Sequence, residues 1–292
     1  MEQPPEKEIT EDFHYSDINV LTVENDRGSI SITGWDYDFF KVTTRKESSS
    51  RALLSCLRST ISRENNAFNV RGIVEPYSES SLPAYARARG GISLLNGAVV
   101  SGNVSLGNIT TGIAVGDKVP TQEVINPGSI HYRIFAPQFL ALKIFLKTHD
   151  GDVSVKAYKT LCEWNAVVKT DNGTIEAEGI ESLDAETSNK AIKVKNILGK
   201  VCARNTWGEI TITDANEVDA QTSYADLHIR QRDNATGDVT AVNNNGVISV
   251  GNLVKELHAE TVSENIYYNR NPNCNRLRKQ DVEAINGKVI RL

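Results

Sequence analysis

Val167–Ala177 reads VVKTDNGTIEA, and this stretch decides the fold. Around the Asn172-Gly173 pair, Ala166, Val168, Ile175 and Ala177 stand at every second position. That spacing turns one side of an extended chain inward and leaves the other in water, whereas a helix needs apolar spacings of three and four. Asn-Gly tolerates positive φ, as a tight corner requires. The unit is therefore two short strands joined by a corner.

The unit recurs in both directions along the chain. LKTHDGDVSV precedes it; LDAETSNKAIKV, VCARNTWGEITI, VDAQTSYADLHI, VTAVNNNGVISV and LHAETVSENIYY follow. The first apolar column is Ile144, Ala166, Leu183, Val201, Val218, Val239 and Leu257. The second is Leu146, Val168 and then alanine at 185, 203, 220, 241 and 259. A polar column follows, with Thr148, Thr170, Thr187, Asn205, Thr222, Asn243 and Thr261. Beyond the corner stand Val153, Ile175, Ile192, Ile210, Leu227, Ile248 and Ile266. The copies begin about 17 to 22 residues apart, roughly 19 on average, which is a solenoid or propeller period. A further copy, LTVENDRGSISI, starts at Leu21, and a shortened one, VEAINGKVI, closes the series around Val282, Ala284, Gly287 and Val289.

Alanine and threonine at fixed places in every copy suit a stack better than an array of hairpins. In a stack like columns align, so small residues fill the narrow interior and polar ones form a ladder at a corner. The expected fold is an all-β, parallel β-helix-like solenoid of ~19-residue repeats with a long Gly-rich insertion. Residues 1–12 are expected to form a tail and 13–292 a single solenoid-like domain, interrupted by the insertion at 75–128. Stretches such as FKVTTRK, NAFNVRGIV and SIHYRIFAP between the first copy and the main array also read as strands, while Leu53, Leu54, Leu57 and Ile61 have the spacing of a short helix. Gly91–Gly116 carries no charge; its Gly, Ser, Asn and Thr content argues against a helix in lipid and leaves a solvent-exposed insertion or a membrane-engaging hairpin.

LTVENDRGSISITGW near the start, the IHYRIFAP strand and the series of T-x-x-G-x-I-x-V units together resemble the "putative adhesin" domain of unknown function, found in bacterial envelope proteins and some eukaryotic ones. The resemblance covers the chain from about residue 13. It implies a β-solenoid-like fold, often exported, and it carries no catalytic residues over by position. No secretory leader is read in MEQPPEKEITEDF, which is acidic and lacks an apolar core, so a cell-envelope or secreted location would require a leader removed earlier.

Composition narrows the function classes. The chain has 32 Lys and Arg against 37 Asp and Glu, a net charge of −5, with basic residues spread along its length, so nucleic acid is not an expected partner. Cys56, Cys162, Cys202 and Cys274 lack zinc-type spacing and read as free thiols; His14, His131, His149, His228 and His258 show no paired spacing, so no metal or cofactor is expected. The groups best placed for acid–base work are His149, Asp150 and Asp152, and Arg230, Arg232 and Asp233, each of which a corner or an outward strand face also explains. Stacked rungs would make neighbours of Trp207 and Tyr224, and with Tyr267 and Tyr268 these are the candidate binding residues, facing a sugar ring or a partner protein. The expectation is a non-enzymatic adhesin-like or scaffold protein, with self-association through open solenoid ends as a further contact. A carbohydrate-active β-helix enzyme and a membrane-engaging protein acting through Gly91–Gly116 are the alternatives.

Overall fold

In a computed structural model, the residues described are 6–15, 17–51, 53–75, 128–158, 162–272 and 279–292. They form strands and a single 3-10 turn, Leu53–Cys56. The strands at the amino-terminal end are β1 (Glu6–Phe13), β2 (Val20–Arg27), β3 (Ile30–Trp35), β4 (Phe40–Glu47), β5 (Leu57–Glu64), β6 (Ala67–Val74) and β7 (Ser129–Pro137). Rungs of two strands then follow: β8 (Leu142–Asp150) with β9 (Val153–Lys156), β10 (Trp164–Thr170) with β11 (Ile175–Glu178), and β12 (Ser182–Thr187) with β13 (Ile192–Lys195). The series continues with β14 (Lys200–Asn205) and β15 (Ile210–Ala215), β16 (Glu217–Thr222) and β17 (Leu227–Gln231), and β18 (Val239–Asn243) and β19 (Ile248–Leu253). It ends with β20 (Glu256–Thr261) and β21 (Ile266–Arg270), then β22 (Lys279–Ala284) and β23 (Val289–Arg291).

Each rung places one strand in each of two facing sheets, so the molecule is a flattened β-solenoid. Neighbouring rungs pair in parallel with the expected columns in register: Ile144 opposite Ala166, Ala166 opposite Leu183, and Ile175 opposite Ile192. The alanine column is at most 2% exposed from Ala185 to Ala259. Two walls converge there, and a larger side chain in each copy would force them apart.

The stacking order differs from the chain order. Leu21 pairs with Ile144 on one side and with Phe68 on the other, so the first rung, β2–β3, lies between β8–β9 and a rung made of β6 and β7. NAFNVRGIV and SIHYRIFAP are thus the two halves of one rung, separated in the sequence by the 75–128 segment. That segment's residues 76–127, including the uncharged stretch, lie outside the described residues. Strand β4 covers β7 antiparallel, β1 covers β4, and β5 covers β6, also antiparallel. Residues 6–12, expected in a tail, therefore belong to an edge strand. Its Glu6, Lys7, Glu8, Glu11 and Asp12 put charge along an open edge, which discourages further pairing.

The helix expected from Leu53 to Ile61 is absent: one 3-10 turn gives way to β5, where Leu57 faces Val74 and Ile61 faces Val70. Pairing with β6 satisfies this backbone across the whole strand, and so short a helix has little intrinsic stability to set against it. The interior at this end is filled by rings in place of alanines, with Phe40 and Phe68 at 5.2 Å and Phe13 and Phe68 at 5.1 Å. Tyr132 is buried among them and donates to Ser59 Oγ at 2.9 Å; burial raises its phenol to about 12.

Candidate functional site

The first corner of each rung is built by the polar column. Thr148, Thr170, Thr187 and Thr261 are buried, and each hydroxyl donates to a carbonyl of the preceding corner: Gly28 at 3.3 Å, Gly151 at 3.2 Å, Gly173 at 3.0 Å and Gly246 at 3.3 Å. Where asparagine stands instead, the amide does more. Asn243 donates through Nδ2 to the Ala225 carbonyl at 2.6 Å and accepts the Asn245 N–H through Oδ1 at 3.2 Å. Asn205 does the same with the Lys190 carbonyl and the Trp207 N–H. Stacking also explains the corner glycines, since a Cβ on Gly173 would collide with the Gly151 carbonyl below it.

Outward from this ladder runs a second column at the corner tips. Arg27 pairs with Asp150 at 3.1 Å, Asn172 donates to Asp150 at 2.7 Å, and Asn189 donates to Asn172 at 2.6 Å. Backbone bonds continue the line, from Trp207 N to Ser188 O and from Tyr224 N to Thr206 O, each at 3.0 Å. The Trp207 and Tyr224 rings then lie face to face, centroids 4.1 Å apart and planes 13° apart, with 58% and 49% of their surfaces exposed. Ser188, Asn189, Thr206, Ser223, Asn244 and Asn245, level with these rings or one place before them along their corners, are uncharged, whereas Lys190, Glu209 and Asp226 stand exposed one or two places further along. The two exposed rings thus stand beside hydroxyls and amides, with Glu209 and Asp226 two residues beyond them in the chain.

The other two candidate aromatics lie elsewhere. Tyr267 and Tyr268 are on β21, in the wall; Tyr268 turns inward and is only 8% exposed, its hydroxyl at 3.3 Å from Gln280 Oε1. Alternation along the strand sends it inside, so it offers no face to a ligand.

The acid–base candidates are separated and engaged between rungs. His149 pairs with Asp171. The hydrogen bond from Asn172, reinforced by Arg27, holds the Asp150 carboxyl below the usual range. Asp152 accepts the Thr174 N–H at 2.8 Å. Arg232 donates to the Asp214 carbonyl at 3.3 Å, and Asp233 accepts from Asn252 at 2.9 Å.

One constellation not foreseen resembles hydrolytic machinery. His131 lies 2.9 Å from Ser29 Oγ through Nδ1 and 2.8 Å from Ser129 Oγ through Nε2, with Glu47 3.7 Å from Nε2. Nδ1 also accepts the Ser29 N–H at 3.2 Å, so the neutral ring carries its proton on Nε2 and donates to Ser129. Both hydroxyls lie where strands begin, and the ring ties β3 to β7 there.

Cys56 and Cys162 are buried free thiols and Cys202 a half-buried one; burial lifts Cys162 to about 11. Cys274 lies outside the described residues. Among the described residues no group of three or more His, Cys, Asp or Glu is arranged to hold a metal ion.

No family model and no curated protein matches the chain. Solved structures do. The chain is similar to bacterial proteins described as putative adhesins. One, from Parabacteroides distasonis, is 13% identical over 98% of this chain and 97% of that one, with a TM-score of 0.49. A second, from Parabacteroides merdae, is 12% identical over 98% and 96%, with a TM-score of 0.45. A third, from Bacteroides fragilis, is 14% identical over the whole of both chains, with a TM-score of 0.42.

Sequence reasoning missed the second corner, where each rung passes to the next. Asn196, Asp214 and Asn252 have φ of 55°, 57° and 57°, and Gly179 has 72°. Each precedes a buried apolar residue, Ile197, Ala215, Leu253 and Ile180 respectively. Gly, Asn or Asp two residues beyond the last strand column was the available signal, because these types tolerate the left-handed region.

Proposed function

We propose that this chain is a non-enzymatic, adhesin-like binding module whose corner strip around Trp207 and Tyr224 takes a neutral glycan. The supporting observation is the exposed, stacked ring pair with hydroxyl- and amide-bearing residues beside it. Rings cover the apolar faces of a sugar while Thr206, Ser223, Asn244 and Asn245 exchange hydrogen bonds with its hydroxyls. A rigid stack presents these groups without ordering a loop, which lowers the cost of binding. Against the enzyme alternative stands the engagement of His149, Asp150, Asp152 and His131 in bonds that hold the rungs together.

Affinity electrophoresis through gels containing neutral polysaccharides tests this, with purified wild type, Trp207→Ala and the Trp207→Ala/Tyr224→Ala double variant. Retardation of the wild type that is lost in the double variant, with an unchanged β-type circular dichroism spectrum, supports the reading. Equal retardation of both proteins overturns the site, and a rise in reducing ends on prolonged incubation overturns the non-enzymatic assignment.

A further inference from the structure

Asn-Gly stands at three corners of the described stack, Asn172-Gly173, Asn245-Gly246 and Asn286-Gly287; a fourth pair, Asn96-Gly97, lies outside the described residues. At all three corners the asparagine is exposed, and its backbone N–H donates to the tip of the preceding rung, at the carbonyls of His149, Ser223 and Val262 respectively. The side chains are held very differently. Asn172 is tied at both ends of its amide: Nδ2 donates to Asp150 at 2.7 Å and Oδ1 accepts from Asn189 at 2.6 Å. Asn245 is tied at one end, its Oδ1 accepting from Ser263 Oγ at 2.8 Å. The Asn286 side chain makes no hydrogen bond to a described residue. The glycines follow the same division. The Gly173 carbonyl accepts the Thr187 hydroxyl at 3.0 Å and the Gly246 carbonyl that of Thr261 at 3.3 Å. No threonine of a further rung reaches the Gly287 carbonyl among the described residues.

We infer that Asn286 is a site of spontaneous covalent modification, at which the chain deamidates to aspartate and isoaspartate, while the stack protects Asn172 fully and Asn245 in part. The Gly287 nitrogen, after giving its proton to hydroxide, bonds to Asn286 Cγ. The bond from Cγ to the side-chain nitrogen breaks, ammonia leaves, and a succinimide ring remains. Water then adds to one of the two ring carbonyls, opening it to aspartate or to isoaspartate, whose main chain runs through the former side-chain carbon. Nothing is oxidised or reduced. Attack requires the amide to turn until Cγ faces the glycine nitrogen, and a following glycine, without Cβ, hinders this least. An amide bonded at both ends must break two hydrogen bonds before it can turn, and a pinned glycine carbonyl must be released as well. At Asn286 neither restraint operates. The product lengthens the chain between β22 and β23, whose register is fixed by Ala284 opposite Thr261 and Val289 opposite Ile266, so the isoaspartyl corner must bulge. The same event at Asn172 would set a second carboxylate against Asp150 and cut the ladder from Arg27 to Asn189. The inference stands apart from any ligand of the ring strip.

The test keeps the purified full chain at mildly alkaline pH, with and without denaturing guanidinium chloride. The three sites are followed by peptide mass spectrometry and by isoaspartyl methyltransferase labelling. Expected in the folded protein is conversion at Asn286 at least tenfold faster than at Asn172, with Asn245 between them. In denaturant the three rates should converge. Asn189→Ala, which frees Asn172 Oδ1, should raise the Asn172 rate at least threefold and leave the Asn286 rate unchanged. Equal rates in the folded chain overturn the proposal, as does earlier conversion at Asn172 or Asn245. An order that persists in denaturant overturns it too, since it would then belong to the flanking sequence. So does a folded chain in which no corner converts while the denatured chain converts at all three.

Discussion

The Thr187 hydroxyl donates to the Gly173 carbonyl of the rung below at 3.0 Å, whereas Thr222 Oγ1, buried in the same column, has no hydrogen-bond partner. A uniform-looking column thus contains one position where the hydroxyl is an unpaired polar group. Replacing Thr187 by valine should cost about 1 kcal/mol, the usual net worth of one buried hydrogen bond plus the orphaned carbonyl. Thr222→Val should be neutral or slightly stabilising. Urea denaturation of the two variants checks this, and equal losses would show that the column acts through shape alone.

The corner glycines divide in the same way. A Cβ on Gly173 would run into the Gly151 carbonyl, but a Cβ on Gly251, in β19, would meet nothing closer than 3.9 Å. Gly173→Ala should destabilise by about 1–3 kcal/mol through overpacking. Gly251→Ala should gain up to about 1 kcal/mol by restricting the unfolded chain. Midpoints of chemical denaturation would separate them.

Asp150 gives the stack an acid-sensitive contact. Its carboxyl is held below the ordinary value of 3.8 by Asn172 and then Arg27, so its stabilising contribution is present above 3.8 and is lost as pH falls through the lower folded value. The group is substantially exposed, which keeps the effect small. Asp150→Asn should flatten the fall of stability below pH 3.8 while leaving its slope near pH 7 unchanged. Thermal melts across that window test it.

The ring stack should be measurable apart from any ligand. A double-mutant cycle on Trp207 and Tyr224 to alanine should return a coupling of about 0.5–1.5 kcal/mol, the excess typical of stacked aromatic pairs. A coupling near zero would mean that the rings lie together without attraction, as freely accessible faces.

At the second corner, Asn196 holds φ 55°. Asn196→Gly should be tolerated, while Asn196→Val should cost about 1–3 kcal/mol because a β-branched residue resists that conformation. Equal stabilities would show that the corner can be rebuilt with negative φ.

The sequence by itself determined the rung. Alternation of Ile175 and Ala177 with polar neighbours is a local property of an extended chain and could be read without partners. Asn172-Gly173 marked the corner, but neither residue has the positive φ expected of it, and it is the Gly151 carbonyl of the neighbouring rung that requires a glycine there. Column identity also followed, because stacked copies require small residues such as Ala203 and hydrogen-bonding residues such as Thr187 at matching places. The neighbouring of Trp207 and Tyr224 followed from that register. The tertiary structure alone decided the order of stacking. Nothing local makes Leu21 choose Ile144 and Phe68 as its flanks, or makes Phe68 and Tyr132 halves of one rung across the 75–128 segment. It also placed the second half of the helix expected from Leu53 to Ile61 in strand β5, since an available edge on β6 outweighs a weak local preference. The packing of Trp35 on Phe135 was beyond reach of the sequence for the same reason. The two residues are distant along the chain, and only the pairing of β3 with β7 draws them together.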